Sequence, residues 1–567
     1  MPQDAYTLRY VADGLNKMLA NGKISKINMP EKDELSLIIY THSGSVKLEI
    51  CTSAKNCRIS IGSAEKPNPA VAPNFCMLLR KHLQNAQVER VHQIDFERIV
   101  AIELNCFSEF SQTHMTLYCE IMGKYSNMVL VENGIILGAL KQTTLEENAK
   151  RVLFSGAKYT LPPTQGKASP LSLDALQEVF GTTARGEKFI CDNVEGIAYS
   201  TAAEMCAYYG GDVTAERVYE YVNSDDIAPC VVYGEKGEPT DFKARTVIKN
   251  AKRYPDILSA QRDYYDYVYV KTTFENAQRR LESALHAAVK KTEKRLAQIN
   301  AKLLECESAD EIKLKGELIT ANIYRIERGM ASFEADDYYS EQPRKIKISL
   351  DRQLTPSQNA QKYYKRYAKM KRTVQVLSVQ KSETEERLDY LNSIEAHICA
   401  AECTDDLKEI QGELVADGLI KAPAEKNAKK KKAPETAPFR QYEIDGFKVL
   451  AGRNNVQNDR LLKTLSPDDI WLHTNRYHSS HVGIITGGEK VPDETIAKAA
   501  AICAYYSEAR GRDKVTVDYA QRKFVKKPPK ANSGFVTYTD YSNIIVSPNP
   551  YSCLLYTSDA ADDRISV

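Results

Sequence analysis

The spacing of apolar residues changes along this chain, and each change predicts a different kind of element. Leu8, Val11, Leu15 and Met18 share one helical face. Leu35, Leu37 and Ile39, then Val46, Leu48 and Ile50, alternate at strand period around a turn at Ser43-Gly44. A short helix is predicted at 73–83, followed by strands at RIVAIEL, MTLYCEIM and NMVLVENGIILGAL. Pro162-Pro163 closes this α/β segment, residues 1–165. Residues 168–226 are predicted helical. Within them NVEGIAYSTAAEMCAYYGG places a glycine turn before serine and small residues. This fits a helix-hairpin-helix element, whose backbone N–H groups can meet a phosphate; a plain helix–turn–helix packing unit explains the same pattern.

The middle of the chain changes to a period of 3.5. Tyr363, Tyr367, Met370, Val374, Leu377, Lys381, Thr384, Leu388 and Leu391 alternate four and three residues apart. Leu285, Val289, Thr292, Leu296, Ile299 and Leu303 do the same on a surface of Lys, Arg and Glu. Two such helices, each ~60 Å long at 1.5 Å per residue, predict a coiled-coil arm over 255–420. Residues 306–360 form an insertion at its tip. Periodicity leaves intrachain and interchain pairing open. The Lys/Ala/Pro-rich stretch 421–438 reads as a solvated linker, and a last α/β module, 439–552, holds the single tryptophan, Trp471. Residues 553–567 break the preceding strand pattern, and LYTSDAAD resembles translated sequencing-adapter read-through. The expectation is that native sequence ends near residue 552 and that this tail is an artefact.

At 567 residues the chain is expected to hold about three to five domains. Its net charge of +2 means that any nucleic-acid surface must come from clustered cations. Thirteen cysteines occur without a CxxC pair or zinc spacing, which predicts a reducing compartment and neither metal nor cofactor. With no apolar leader and no run of eighteen apolar residues, a cytoplasmic protein is expected.

Several stretches resemble the NFACT family of ribosome quality-control proteins, in the family's order. They are FCMLLRKHL (75–83), HQIDFERIV (92–100), EIMGKYSN (120–127), GELITANI (316–323), LDRQLTPSQNAQKYYKRYAKMK (350–371), DLKEIQGELVADGLI (406–420), GRNNVQND (452–459), DIWLHT (469–474), SHV (480–482), VPDETIAKAAAICAYYSEAR (491–510) and VDYAQRKFVKKP (517–528). The resemblance implies a glycosylase-like N-terminal module, a helix-hairpin-helix module, an antiparallel intrachain arm and a C-terminal RNA-binding module. It also implies a function: binding large ribosomal subunits that carry peptidyl-tRNA, recruiting alanyl-tRNA, and promoting templateless C-terminal alanine tailing. The ribosome forms the peptide bonds, so no enzyme activity is expected. The implied partners are rRNA, a stalk-base protein and the two tRNAs, with a monomer on the ribosome and no membrane.

The family's tRNA-selecting Asp-Arg falls here on Glu97-Arg98. Arg98 can bind phosphate or a base edge bidentately, and Glu97 can accept from a cytosine amine or orient Arg98; a surface ion pair is the plainer account. In the second signature Gly123 is expected to supply a positive-φ turn and Lys124 a phosphate contact, with Glu120 as a tRNA contact or a turn cap. KYYKRYAKMKR (362–372) offers Lys365, Arg366 and Lys369, with Tyr364 as a stacking platform, as candidate RNA contacts. In the last module Arg453, Asn455, His473, His481, Lys526 and Lys527 are candidates. Asp459 and Asp469 near the histidines raise metal or acid–base chemistry, which hydrogen-bonded structural roles explain equally well. Ser479, where the family has glycine, predicts a strained loop if that position needs φ > 0. Two further readings are a glycosylase using Pro2, opposed by Gln3 in place of the enzyme's glutamate, and a surface adhesin.

Overall fold

The computed structural model describes residues 3–63, 66–107, 112–144, 151–163, 165–337, 344–421 and 438–551. Pro2, nearly all of the expected linker and the anomalous tail lie outside the described residues. The chain divides into two compact units, residues 1–272 and 273–567.

In the first unit nine strands form one antiparallel sheet: β1 (Lys23–Glu31), β2 (Glu34–Thr41), β3 (Gly44–Cys51), β4 (Arg58–Ile61), β5 (Gln87–Gln93), β6 (Ile99–Phe107), β7 (Gln112–Glu120), β8 (Asn127–Glu132) and β9 (Ile135–Ala139). Their order is β4-β3-β2-β1-β5-β6-β7-β8-β9. The alternation in β2 and β3 is the register itself: Leu35 faces Ile50, Leu37 faces Leu48 and Ile39 faces Val46. All but Val46 are fully buried, each contributing about 1.5–3 kcal/mol. The turn sits one residue earlier than predicted, at His42-Ser43, because Thr41 pairs with Gly44. Helices α1 (Ala5–Leu19) and α2 (Asn74–Leu83) pack on this sheet. Since every strand pair is antiparallel, the module is α+β rather than an alternating α/β fold.

The helical segment holds α3 (Leu173–Phe180), α4 (Glu187–Asn193), α5 (Tyr199–Tyr209) and α6 (Ala215–Asn223). The stretch 193–211 therefore breaks at Gly196, whose φ is +70°, and α4–turn–α5 is the hairpin. Its turn is already engaged within the fold. Asp4 caps α1 by accepting from Thr7 N (2.9 Å) and with its other oxygen accepts from Ala198 N (3.0 Å) at the start of α5. That N–H is not offered to a phosphate. A three-stranded sheet follows, β10 (Cys230–Tyr233), β11 (Pro239–Lys243) and β12 (Ala251–Arg253). The first turns of α7 (Ile257–Cys306) then join the same core through Leu258 and Tyr265.

The second unit contains the rest of α7, then α8 (Ala309–Ala321), the hairpin β13 (Ser332–Asp336) and β14 (Lys345–Ser349), α9 (Pro356–Ala400) and α10 (Thr404–Ala416). Leu281 and Leu285 of α7 share a core with Leu391, Ile394 and Ile398 of α9 and with Leu407, Ile410 and Leu414 of α10. The pairing at this end is therefore antiparallel and within one chain. At the other end Leu318, Ile319, Ala335, Ile348 and Ala360 build a small tip core. Thr355 and Gln358 start α9 with a capping box.

The last module is a six-stranded antiparallel sheet built from β15 (Arg440–Ile444), β16 (Phe447–Ala451), β17 (Ile470–Thr474), β18 (Val482–Ile485), β19 (Val515–Gln521) and β22 (Ser542–Val546). Its other elements are a small pair, β20 (Val525–Lys526) with β21 (Thr537–Tyr538), and the helices α11 (Asn455–Thr464) and α12 (Asp493–Tyr505). Ala499, Ala500, Ile502 and Cys503 of α12 lie against Leu472, Val482 and Val517 of the sheet. Among the described residues no helix is long and apolar enough to cross a membrane.

Candidate nucleic-acid interface

Glu97 and Arg98 close the turn from β5 into β6. Its backbone is tightly held: Gln93 Nε2 donates to Glu97 O (2.8 Å) and to Ala5 O (2.9 Å), and Glu97 N donates to Ile94 O (3.0 Å). Phe96 is buried under the turn against Gly196, while Glu97 and Arg98 are half-buried. From the hairpin turn Glu195 reaches the same place. Burial first, then a hydrogen bond with Glu97 and the charges of Glu97 and Asp95, push its carboxyl up to about 7. The fold thus brings one acidic neighbour, Glu195, from the helical module to the expected pair, beside Asp95 of the same turn.

Ile121 N donates to Arg98 O (2.8 Å) and Ile99 pairs with Glu120, so the two signatures of this module are spatial neighbours. Gly123 has φ +61°, as expected. Lys124 is exposed, its ammonium 4.8 Å from the ring centre of exposed Tyr125. Glu120 is different: it is 1% exposed, and Arg151 grips both its oxygens (2.9 and 2.5 Å) while Tyr159 OH donates to one (2.9 Å). Its carboxylate is consumed by the fold and is withdrawn as a tRNA contact. Asn127 brackets the Lys141 backbone, its Nδ2 donating to Lys141 O (2.8 Å) and its Oδ1 accepting from Lys141 N (2.9 Å), while the same oxygen accepts from Met128 N (2.9 Å). Gln3 is likewise structural, its buried amide both donating to Ile59 O (3.0 Å) and accepting from Ile59 N (3.2 Å).

On α9, Lys365, Arg366 and Lys369 are exposed. Lys365 and Lys369 border a shallow groove of about 580 Å³ that continues past Arg372 to Val376. Tyr364 is no free platform, because it packs on the tip core over Gly316.

In the last module Arg453 and Asn455 are also corrected. Arg453 is 5% exposed; its Nη1 donates to Asp406 Oδ1 (2.5 Å) and its Nε to Pro438 O (2.9 Å). Arg440 reaches the other Asp406 oxygen at 2.8 Å. Burial alone raises the Asp406 carboxyl, but Arg440, the Glu402 N–H and Arg453 outweigh it and hold it below the usual range. Asn455 donates to Ser393 Oγ (2.9 Å) and Glu413 Oε1 (3.0 Å), and its oxygen lies 3.2 Å from His397 Nε2. Both residues fasten the last module to α9 and α10. Nothing in the sequence marks their side-chain partners Asp406, Ser393, Glu413 and His397, which lie 42 to 62 positions away.

His473 and His481, by contrast, meet in a cleft of about 720 Å³, walled by the end of α9, the β17–β18 loop and residues 528–538. Burial pushes His473 down to about 4 and His481 well below the usual imidazole range, so both are neutral near pH 7. Lys526 is exposed, and Lys527 pairs with Asp459 on the loop that leads into this wall. Asp469 accepts from Ser466 N and Thr486 N (2.7 and 2.8 Å), which ends its candidacy for acid–base work. Among the described residues no group of three metal-ligating side chains converges. Ser479 has no positive φ; its hydroxyl accepts from Thr474 N (3.3 Å), and the expected strain is absent.

An antiparallel N-terminal module, a helical hairpin, a long paired helix and a cleft-bearing sheet module define a multidomain protein of mixed α and β modules. Two family models match in sequence: the NFACT N-terminal and middle domains over residues 4–433, and the NFACT protein RNA binding domain over 437–539. The chain belongs to the NFACT family. It is 32% identical over 551 residues to the Rqc2 homolog RqcH of Bacillus subtilis, covering 94% of this chain and 96% of that protein. It is 31% identical over 565 residues to RqcH of Streptococcus pneumoniae, covering 97% and 98%. Among solved structures it is similar to the N-terminal part of the fibronectin/fibrinogen-binding protein of Streptococcus suis, at 26% identity and TM-score 0.42, covering 46% of this chain and 98% of that one.

Proposed function

We propose that this protein is a ribosome quality-control factor. It binds obstructed large ribosomal subunits carrying peptidyl-tRNA, recruits alanyl-tRNA and promotes templateless alanine tailing of the stalled chain. Its similarity to RqcH along 94% of its length carries this reading, and the RNA-binding domain match over 437–539 supports it. The protein contributes binding and positioning, and the ribosome performs peptidyl transfer. Arg98, oriented by Glu97, and Lys124 contact tRNA; Lys365, Arg366 and Lys369 contact RNA along the arm; the cleft module with Lys526 and Lys527 contacts RNA at its end. It acts as a monomer in the cytoplasm.

Sedimentation of tagged protein from lysate, with sequencing of bound tRNA, tests the proposal. Co-migration with large subunits and enrichment of alanyl-tRNA are expected. Arg98→Ala keeps the subunit and loses the tRNA. Unchanged tRNA recovery refutes the assignment of Arg98, and absence from large-subunit fractions refutes the function.

A further inference from the structure

The cleft of the last module has a character that phosphate contacts alone do not require. Its inner wall is planar and uncharged. His473 lies parallel to Trp471, with ring centres 5.8 Å apart and planes at 2°, and His481 stands edge-on to both, at 5.2 and 5.4 Å. His481 is 1% exposed, and its Nδ1 has no hydrogen-bond partner among the described residues. A buried polar nitrogen in that state is unfavourable until a ligand or water meets it. Neutral imidazoles offer one donor and one acceptor each, the same vocabulary as the edge of a nucleobase.

The mouth is built differently. Phe535 is 50% exposed on its wall. Arg476 and Lys530 stand exposed beside it, both held on left-handed backbone at φ +66° and +64°. On the facing helix Glu386 and Asp389 repel a phosphate chain, with Asp389 3.4 Å from His478. A backbone at this mouth is therefore steered to the Arg476–Lys530 side. The volume of about 720 Å³ admits a nucleotide with water, within the range of small-ligand sites. A base stacked in a duplex hides its faces and cannot enter.

We propose that this cleft takes a single unstacked nucleobase of RNA, stacked against Phe535 and read by the ring edges of His473 and His481, while its phosphates lie along Arg476 and Lys530. This deepens the RNA-binding reading above and rests on it.

The test uses the full chain, a ten-nucleotide single-stranded RNA and an abasic ribose-phosphate oligomer of the same length, compared by fluorescence anisotropy. The base-bearing oligomer is expected to bind about ten- to a hundredfold more tightly, the range of base–aromatic stacking. Phe535→Ala, a change at an exposed loop position, erases that preference while abasic binding persists. Trp471, the single tryptophan, changes its emission with the base-bearing oligomer alone. Equal affinity for the two oligomers, or a preference that survives Phe535→Ala, overturns the cleft assignment and leaves RNA binding standing. A Trp471 response to an alanine peptide but not to RNA also overturns it. Failure of both oligomers to bind overturns the RNA reading together with the cleft.

Discussion

Gly196 ties the helical hairpin to the turn that carries Glu97 and Arg98, and replacing it by alanine is the sharpest test of that junction. Its φ of +70° is left-handed, which for an L-residue costs roughly 1–2 kcal/mol. A Cβ added there lies 2.5 Å from Ala5 Cβ and 2.6 Å from both Phe96 Cδ1 and Phe96 O. Two of these neighbours belong to the turn itself and the third to the start of α1, so none is the far end of a flexible side chain. Overpacking of this kind adds about 1–3 kcal/mol, giving a total of about 2–5 kcal/mol. A chain with several units does not unfold in one step, so hydrogen exchange by peptide is the suitable assay. Peptides covering 3–12, 92–100 and 190–202 are expected to exchange about thirty to several thousand times faster. Gly134→Ala is the control: its φ is +79°, but nothing lies within 4 Å of the added Cβ. Only the backbone term remains there, and exchange around it rises by about five- to thirtyfold. Equal effects of the two substitutions refute the packing argument. In the proposed function, Gly196→Ala also weakens tRNA recovery without touching a contact residue.

The remaining predictions concern buried charge, arm pairing and pH. Arg151→Ala strands the buried Glu120 carboxylate and costs about 3–5 kcal/mol, read as faster hydrogen exchange in peptides covering 116–122 and 151–160; adding Glu120→Gln restores part of it, whereas Lys124→Ala changes local stability by no more than about 0.5 kcal/mol. Leu391→Ala, in the core shared by α7, α9 and α10, costs about 2–5 kcal/mol and leaves the sedimentation coefficient that of a monomer; a dimer disrupted by this change contradicts intrachain pairing. His397 is 2% exposed and burial holds it down at about 4 against an ordinary 6.5. The folded protein therefore resists protonation that the unfolded chain accepts, so stability is complete above pH 6.5 and falls as pH drops toward 4, by about 3 kcal/mol for this group. Urea midpoints followed by Trp471 emission at pH 7, 6 and 5 check the sign, and a flat or rising profile refutes it.

Periodicity revealed elements whose apolar spacing is local. The register of β2 against β3 follows from Leu35, Leu37 and Ile39 alternating opposite Val46, Leu48 and Ile50. The arm follows from seams in which Leu285, Ile299 and Leu391 are buried and most other positions half-buried. Periodicity is silent where a residue's role depends on a partner far along the chain. Glu120 looked like a contact in a signature and is held by Arg151 and Tyr159. Arg453 and Asn455 sit in a polar motif typical of a binding turn, yet Asp406, Glu413, Ser393 and His397 consume them. Tyr364 belongs to the tip core because α8 passes over it at Gly316, a crossing that helical period does not encode. Conversely, His473 and His481 were visible as histidines, but the cleft they share with Phe535 comes from loop closure over residues 528–538.

The joint between α10 and the last module turns on the same kind of group. Asp406 is fully buried between Arg440 and Arg453, themselves 1% and 5% exposed. Burying three charges contributes little net stability compared with apolar residues of the same shape. Geometry is the stronger consequence, since each Asp406 oxygen is assigned to a different guanidinium and a rotated module leaves one of them unpaired. Arg440 also donates to Gly452 O (2.9 Å), beside the turn that opens α11, whose Asn455 closes on α9. The cleft wall formed by Tyr390 and Ser393 is thus set by the same contacts that set the module's orientation. Asp406→Ala strands both arginines and is expected to cost about 3–5 kcal/mol. Replacing all three residues by apolar side chains of matching volume restores stability, measured by urea unfolding. The sharper readout is Trp471 emission in the folded state: if the triad sets orientation, emission stays altered in the stable triple variant. A triple variant with native emission and native RNA affinity refutes that role and leaves the triad as one polar solution to packing among several.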